Sequence, residues 1–333
     1  MDVEQTPICV ILPAFEDSVS CARLLIDLNA RFGSRLRVVA VDDGSIHDQL
    51  EPAHLREAGV AGTVLHLRRN VGHQRALTIG LGYALDTARL GELFVLMDGD
   101  GEDRPGNVDD LLRMYGAGGV DVVVALRRTR LEGRMFRLLY RLYRSSFSLL
   151  TGQRIGFGNF MVMSQFAARR LIAMRELSTH IAAAVLASKL RIGACAIDRG
   201  PRYAGRSRMR FVDLVLHGFR AMTVFSDTVL VRVSITSGAV GLLAGTLSVV
   251  AVLLKLAGFS TPGWFSIAVG ILSLVVLQSA TLALLTLALT GLSRSGRVVE
   301  QGYYRHYIER ELPVFASQTD ASARVKPTVR AAD

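Results

Sequence analysis

The chain has 333 residues, half of them hydrophobic, with 39 Lys and Arg against 29 Asp and Glu. A net charge of +10 combined with a mean hydropathy of +0.33 excludes a disordered polyelectrolyte, which needs low hydrophobicity, and is unusual for a purely soluble protein. The length accommodates a sizeable core and further elements. In chain order, runs rich in Val, Ile and Leu predict strands at Ile8–Leu12, Leu36–Val41, Thr63–Leu67, Leu93–Met97, Asp121–Ala125 and Phe160–Met163. Helical stretches fall between them, at Ser18–Phe32, Gln74–Ala88 and Asn107–Tyr115. Such alternation predicts an α/β fold, a mostly parallel sheet with helices on both faces.

The positive charge is local. Residues 127–154 hold eight Arg and one Glu, and residues 199–210 hold five Arg and no acid. Arg134, Arg137, Arg141 and Arg144 recur at helical spacing among Leu138, Leu139, Leu142 and Phe147, which predicts a basic amphipathic helix, lying on anionic lipid or presenting a solvated face. Arginine forks suit phosphate oxygens, and no nucleic-acid-binding motif is present, so the expected partners are phosphorylated molecules and a membrane. Cys9, Cys21 and Cys195 form neither a disulfide framework nor a zinc pattern. The N-terminal residues lack the basic segment and long apolar run of a signal peptide.

From Val233 to Thr290 there is no acid and one base, Lys255, and a turn-forming Gly258-Phe259-Ser260-Thr261-Pro262-Gly263 divides the stretch. Each half, Val233–Leu256 and Trp264–Thr290, exceeds the roughly 20 apolar residues that span a bilayer. Arg232 precedes the first span, and Arg294 and Arg297 follow the second. The positive-inside rule therefore predicts two spans of the inner membrane, with the main domain and both termini cytoplasmic. The expected organisation is an α/β domain over 1–208, a juxtamembrane amphipathic helix over 209–232, two spans within 233–290 and a cytosolic tail over 291–333. The tail's Tyr303–Glu309 segment is amphipathic enough to pack back on the domain or on a second copy, and disorder is expected from about Ser317.

In open α/β sheets, ligands bind beyond the carboxyl ends of the strands. Those positions hold Pro13-Ala14-Phe15-Glu16-Asp17, Asp42-Asp43-Gly44-Ser45, Arg69-Asn70-Val71-Gly72-His73-Gln74 and Asp98-Gly99-Asp100-Gly101-Glu102-Asp103. Turn chemistry explains one such cluster, but not four on one rim. Carboxylates spaced as Asp98-x-Asp100 suit a hard divalent ion that keeps positions open for phosphate.

These elements resemble family 2 glycosyltransferases of the GT-A fold, and more narrowly the polyprenyl-phosphate glycosyltransferases (bactoprenol glucosyltransferases and dolichol-phosphate mannosyltransferases). The resemblance runs from about Ile8 to Phe315. It rests on Val41–Ser45, Asn70–Leu77, Asp98–Pro105, the Arg202-x-x-Gly205-x-Ser207-Arg208 pattern and the two spans. It implies an inverting transfer from a UDP- or GDP-sugar to a polyprenyl phosphate, assisted by Mg²⁺ or Mn²⁺. Pro13, Ala14, Phe15 and Glu16 would line the nucleotide pocket. Asp42 would bond the base, Gly72 and His73 would approach the nucleotide, and Asp98 would contact the sugar nucleotide. Asp100 and Glu102 would hold the metal, Glu102 standing where relatives often have Gln. Arg202, Ser207 and Arg208 would clamp phosphate.

One position departs from the pattern: Asn159 stands where relatives often carry an Asp regarded as a candidate base. A phosphate monoester with a second pKa of about 6 is largely dianionic at neutral pH and is already a nucleophile. General-base help, worth roughly 10²–10⁴-fold for a hydroxyl acceptor, is then not needed. Asn159 argues mildly against a hydroxyl acceptor. A processive synthase would usually carry Gln-x-x-Arg-Trp, and the only Trp is Trp264, at a span end. A non-catalytic membrane adaptor would have no need of the acidic rim.

Overall fold

The computed structural model describes residues 5–127, 144–204, 211–259, 263–294 and 302–315. The chain divides into two compact units. One comprises Met1–Gly133, Ile155–Arg220 and Val299–Asp333, the other Arg134–Arg154 and Ala221–Val298.

Among the described residues, the first unit is built on eight strands: β1 (Ile8–Ala14), β2 (Leu36–Asp42), β3 (Ala61–Leu67), β4 (Leu93–Leu96), β5 (Val122–Arg127), β6 (Phe157–Met163), β7 (Ile192–Ile197) and β8 (Ile308–Val314). They form one sheet in the order β7-β5-β6-β4-β1-β2-β3-β8. The sheet is mixed but mostly parallel, with β6 and β8 running against the other six strands. The pairs β1–β2, β1–β4, β2–β3 and β5–β7 are parallel, whereas β4–β6, β5–β6 and β3–β8 are antiparallel. The sequence reading lacked β7 and β8.

Strands covered on both faces read as continuous apolar runs, and β1 is buried at all seven positions. Successive side chains still point to opposite faces. Val10 and Leu12 face α1 (Ser18–Phe32) and α4 (Pro105–Gly116), through Leu24, Leu28, Leu111 and Leu112. Cys9 and Ile11 share the opposite layer with α3 (His73–Asp86), α6 (Gln165–Ile172) and α7 (Ile181–Ala187). A short helix, α2 (Pro52–Glu57), lies between β2 and β3. Parallel pairing sets Ala14 beside Asp42, so the loops after β1 and β2 leave the sheet together. After the apolar helices the chain returns: Arg68 N donates to Tyr307 O at 3.0 Å, and β8 pairs along β3.

In the second unit, α9 (Ser226–Leu256) and α10 (Trp264–Arg294) are long and apolar enough to cross a membrane, and little of either is buried. On α9 the buried residues are Ser237, Ala244 and Ala251, seven apart. Ser279 and Thr286 repeat that interval on α10. Small residues at this spacing let two helices approach in lipid, and Ser234 Oγ lies 2.5 Å from Thr286 Oγ1. A further helix, α5, is described over 144–151, and α8 (Phe211–Thr223) carries the chain from the first unit into the second. Of the expected basic helix, Arg134, Arg137 and Arg141 lie outside the described residues, as does the tail from Ser317.

Under the sheet, Arg37 and Glu92 form a buried ion pair. Arg37 Nη2 lies 2.7 Å from Glu92 Oε2, and the guanidinium also donates to Thr87 Oγ1 and Ala84 O. Removing one partner of such a pair strands the other charge. Glu92→Ala should therefore lower the unfolding free energy by about 3–5 kcal/mol. Arg31→Ala, at the exposed pair with Asp109, should stay within about 1 kcal/mol. Denaturant titration in detergent compares the two variants.

Candidate active site

The loops after β1 and β2 are tied to each other before any ligand arrives. Asp42 is buried. Its Oδ1 accepts from Ser45 N at 2.8 Å and its Oδ2 from Leu50 N at 2.8 Å. Both oxygens therefore shape their own loop, each through one of its two acceptor positions. Asp43 reaches the other way, accepting from Val71 N at 2.7 Å and Gly72 N at 2.9 Å, which fixes the start of α3. Burial pushes its carboxyl up. Glu16 accepts from the amides of Ile46, His47 and Asp48 at 2.6, 3.1 and 2.8 Å, and these bonds, Ile46 first, hold its carboxyl below the usual range. Pro13 and Ala14 are buried in β1, whereas the Phe15 ring is exposed at the rim.

The acidic loop after β4 puts four carboxylates within six residues. Gly101 takes φ +82 beneath the Tyr203 ring, where a Cβ would lie 2.3 Å from Cδ2. At Gly99 a Cβ would meet Pro13 O at 2.6 Å. Residues 199–203 run along this loop: Gly200 N donates to Glu102 O at 2.9 Å and Tyr203 N to Asp100 O at 3.0 Å. That register delivers two arginines to the carboxylates. Arg199 Nη2 pairs with Asp98 Oδ2 at 2.9 Å, its Nη1 with Glu102, and its Nε with Asp103 Oδ1 at 3.3 Å. Arg202 Nη2 pairs with Asp100 Oδ2 at 2.8 Å and its Nε with Glu102 Oε1 at 2.8 Å. Asp103 is pushed up by burial and by the neighbouring Asp98. Burial also opposes the charge on Asp98, but His73 and then Arg199 hold it well below the usual range.

His73 Nε2 lies 3.1 Å from Asp98 Oδ1 and 2.9 Å from Asn159 Nδ2. A chain of bonds fixes the orientation of that amide. Ile181 N donates to Gln74 Oε1 at 2.7 Å, so Gln74 Nε2 donates to Asn159 Oδ1 at 3.0 Å, which leaves Asn159 presenting its NH₂ group to the imidazole. Partial burial of the ring works against its protonation, but Asp98 outweighs this and raises the His73 pKa. His217 of α8 stacks on His180 at 4.3 Å, beside the same region.

The structure thus brings His73, Asp98, Asp100, Glu102, Asn159 and Arg202 into one network and leaves Phe15 exposed just beyond β1. It turns Pro13, Ala14, Glu16, Asp42 and Gly72 into the supporting framework. Ser207 and Arg208 lie outside the described residues. Arg199, Asp43, Asp103 and Gln74 join the network without having been singled out, although Arg199 belongs to the basic run at 199–210 and Gln74 to the Asn70–Leu77 stretch.

The expected metal position differs most from expectation. Among the described residues, no group of three or more His, Cys, Asp or Glu is arranged to hold a metal ion. The oxygens are hard donors of the right kind, but guanidinium groups stand between them, so the loop as arranged does not fit a divalent ion. If Arg202 and an ion compete for the same oxygens, Arg202→Ala should bind Mn²⁺ more tightly than wild type in the absence of substrate. Electron paramagnetic resonance of free Mn²⁺ reads this, and equal or weaker binding rejects the competition. A second expectation concerns Glu16. Its depressed pKa means that its bonds persist above the ordinary glutamate range and are lost as pH falls through the lowered value. Hydrogen exchange at Ile46, His47 and Asp48, corrected for intrinsic rates, should accelerate only on that acid side.

The family model for glycosyl transferase family 2 matches residues 9–177. An uncharacterized glycosyltransferase, YkoT, of Bacillus subtilis is 25% identical over 73% of this chain and 72% of its own. An undecaprenyl-phosphate 4-deoxy-4-formamido-L-arabinose transferase of an Enterobacter species is 27% identical over 75% and 77%. A dodecaprenyl-phosphate galacturonate synthase of Rhizobium johnstonii is 29% identical over 40% of each chain. Glucosyl-3-phosphoglycerate synthase of Mycobacterium tuberculosis, solved with Mn²⁺, UDP-glucose and phosphoglyceric acid, overlays with a TM-score of 0.49 at 17% identity, over 67% of this chain and 80% of its own. The match over half the chain, on the segment that carries the acidic loop and Asn159, makes this protein a member of glycosyl transferase family 2.

Proposed function

We propose that this glycosyltransferase moves a sugar from a nucleoside-diphosphate sugar, a UDP- or GDP-sugar, to the phosphate of an undecaprenyl-like lipid, with inversion at the anomeric carbon. The observation that carries this reading is the Arg199–Arg202 pair, held by the acidic loop beyond the carboxyl end of β4. Two guanidinium groups at a ligand-binding rim suit a diphosphate. Relatives named for transfer to undecaprenyl and dodecaprenyl phosphate, and two helices able to cross a membrane, support a lipid acceptor.

In this reading Phe15 offers an apolar face to the base. The diphosphate exchanges places with the carboxylates on Arg202 and Arg199, with Ser207 and Arg208 adding further phosphate contacts. Asp98, steadied by His73, bonds the sugar. The lipid phosphate approaches from the cytoplasmic side of the inner membrane, where the first unit and both termini lie. Its oxygen attacks the anomeric carbon from the face opposite the diphosphate. The bond to the lipid phosphate forms as the bond to the nucleoside diphosphate breaks, and the electron pair leaves on that diphosphate beside the arginines. Asn159 takes no proton and presents its NH₂ beside His73. A Mg²⁺ or Mn²⁺ ion at Asp100 and Glu102 belongs to this reading only for a state in which both arginines have left those carboxylates, and no step above depends on it.

Membranes containing the protein, given a panel of labelled nucleotide sugars, should place label in the organic extract. Label found only in water-soluble or polymeric product rejects the lipid acceptor. Asp100→Ala should abolish the lipid-linked label, and wild-type transfer in that variant removes Asp100 from the site.

A further inference from the structure

A cleft of about 870 Å³ opens on the first unit between α1 and the start of α4, closed at one end by Gly200–Tyr203. None of Phe15, His73, Asp98 or Asn159 lines it. Its walls carry five arginines, Arg23, Arg31, Arg35, Arg104 and Arg202, against two aspartates, Asp27 and Asp109. Both aspartates are engaged: Asp109 pairs with Arg31, and Asp27 accepts from Tyr203 Oη at 2.5 Å. Arg35 donates to Thr6 O at 3.2 Å. Arg23 lies over the Tyr203 ring at 4.6 Å, and Arg104 packs against Gly200. Among the described residues, neither Arg23 nor Arg104 has a carboxylate within ion-pair distance.

Uncompensated guanidinium groups converging on one concave surface repel each other. An anion with several oxygens relieves that repulsion through charge-assisted hydrogen bonds. Arg202 is shared, since it lines the cleft and also bonds Asp100 and Glu102. An anion in the cleft therefore competes with the acidic loop for one guanidinium, which links occupancy of the cleft to the charge of the catalytic rim.

We propose that this cleft is a second anion site, separate from the donor pocket, which takes a small phosphate- or diphosphate-bearing molecule and through Arg202 alters sugar transfer.

The full chain in neutral detergent, with a chelator present, is titrated calorimetrically with inorganic pyrophosphate. Saturable, salt-sensitive binding is expected, weakened at least tenfold in Arg23→Gln/Arg104→Gln, with melting temperature and basal transfer unchanged. The exposed single change Arg104→Glu should act in the same direction and covers the case in which the double variant is unstable. In the transfer assay, pyrophosphate should change the wild-type rate more than that of the double variant. Absent binding, binding that is unchanged in the variants, or an equal rate response in both proteins overturns the proposal and assigns the anion to the donor pocket or to no site. Retention on anionic phospholipid vesicles without saturable pyrophosphate binding also overturns it, in favour of a lipid headgroup.

Discussion

The site depends on charge compensation. Two like charges 4 Å apart repel by about 4 kcal/mol at an effective dielectric of about 20. Asp98, Asp100, Glu102 and Asp103 in one half-buried loop cannot keep a fixed shape without cations among them. Arg199 and Arg202 supply these, and the register that brings them is set by the backbone, through Gly200 N on Glu102 O and Tyr203 N on Asp100 O. The glycines at 99 and 101 admit Pro13 and Tyr203 at contact distance, so the loop, the strand beneath it and the basic segment above it form one packed object. In the proposed function, a polyanionic substrate entering here would meet arginines already gathered by carboxylates, and its binding would be an exchange of anionic partners.

Asn159 shows how a single substitution reverses a hydrogen-bond relay. Because Ile181 N fixes Gln74, and Gln74 fixes Asn159, the amide turns its NH₂ toward His73 Nε2, which accepts from it only when that nitrogen carries no proton and does not donate to Asp98. An Asp at this position would accept from the imidazole. The chain thus leaves Asp98 as the histidine's anionic partner, the protonated imidazole donating to Asp98 and the neutral one able to accept from Asn159.

Much of this was legible in the sequence. The Ser18–Phe32 helix was read to the residue, and the rim was visible because apolar strands end in polar clusters. β8 escaped notice because Ile308-Glu309-Arg310-Glu311-Leu312-Pro313-Val314 is an edge strand, charged and Pro-bearing, and two apolar helices separate it from its partner. β7 escaped because Gly193, Ala194 and Ala196 carry little β preference. The mixed direction of the sheet comes from β6 and β8, whose composition says nothing of their polarity. The ion pairs at the expected metal position were not legible for a related reason: Arg199 and Glu102 are 97 positions apart, and no local pattern pairs them.

The position of β8 carries a consequence for biogenesis. The last strand of the first unit is synthesised only after both apolar helices have left the ribosome, so the sheet cannot be completed before the hairpin has been made. Until then β3 is a bare edge, with its outward amides and carbonyls available to any passing strand. Fragments cut ahead of α9 to obtain a soluble head would keep that exposed border permanently and should self-associate.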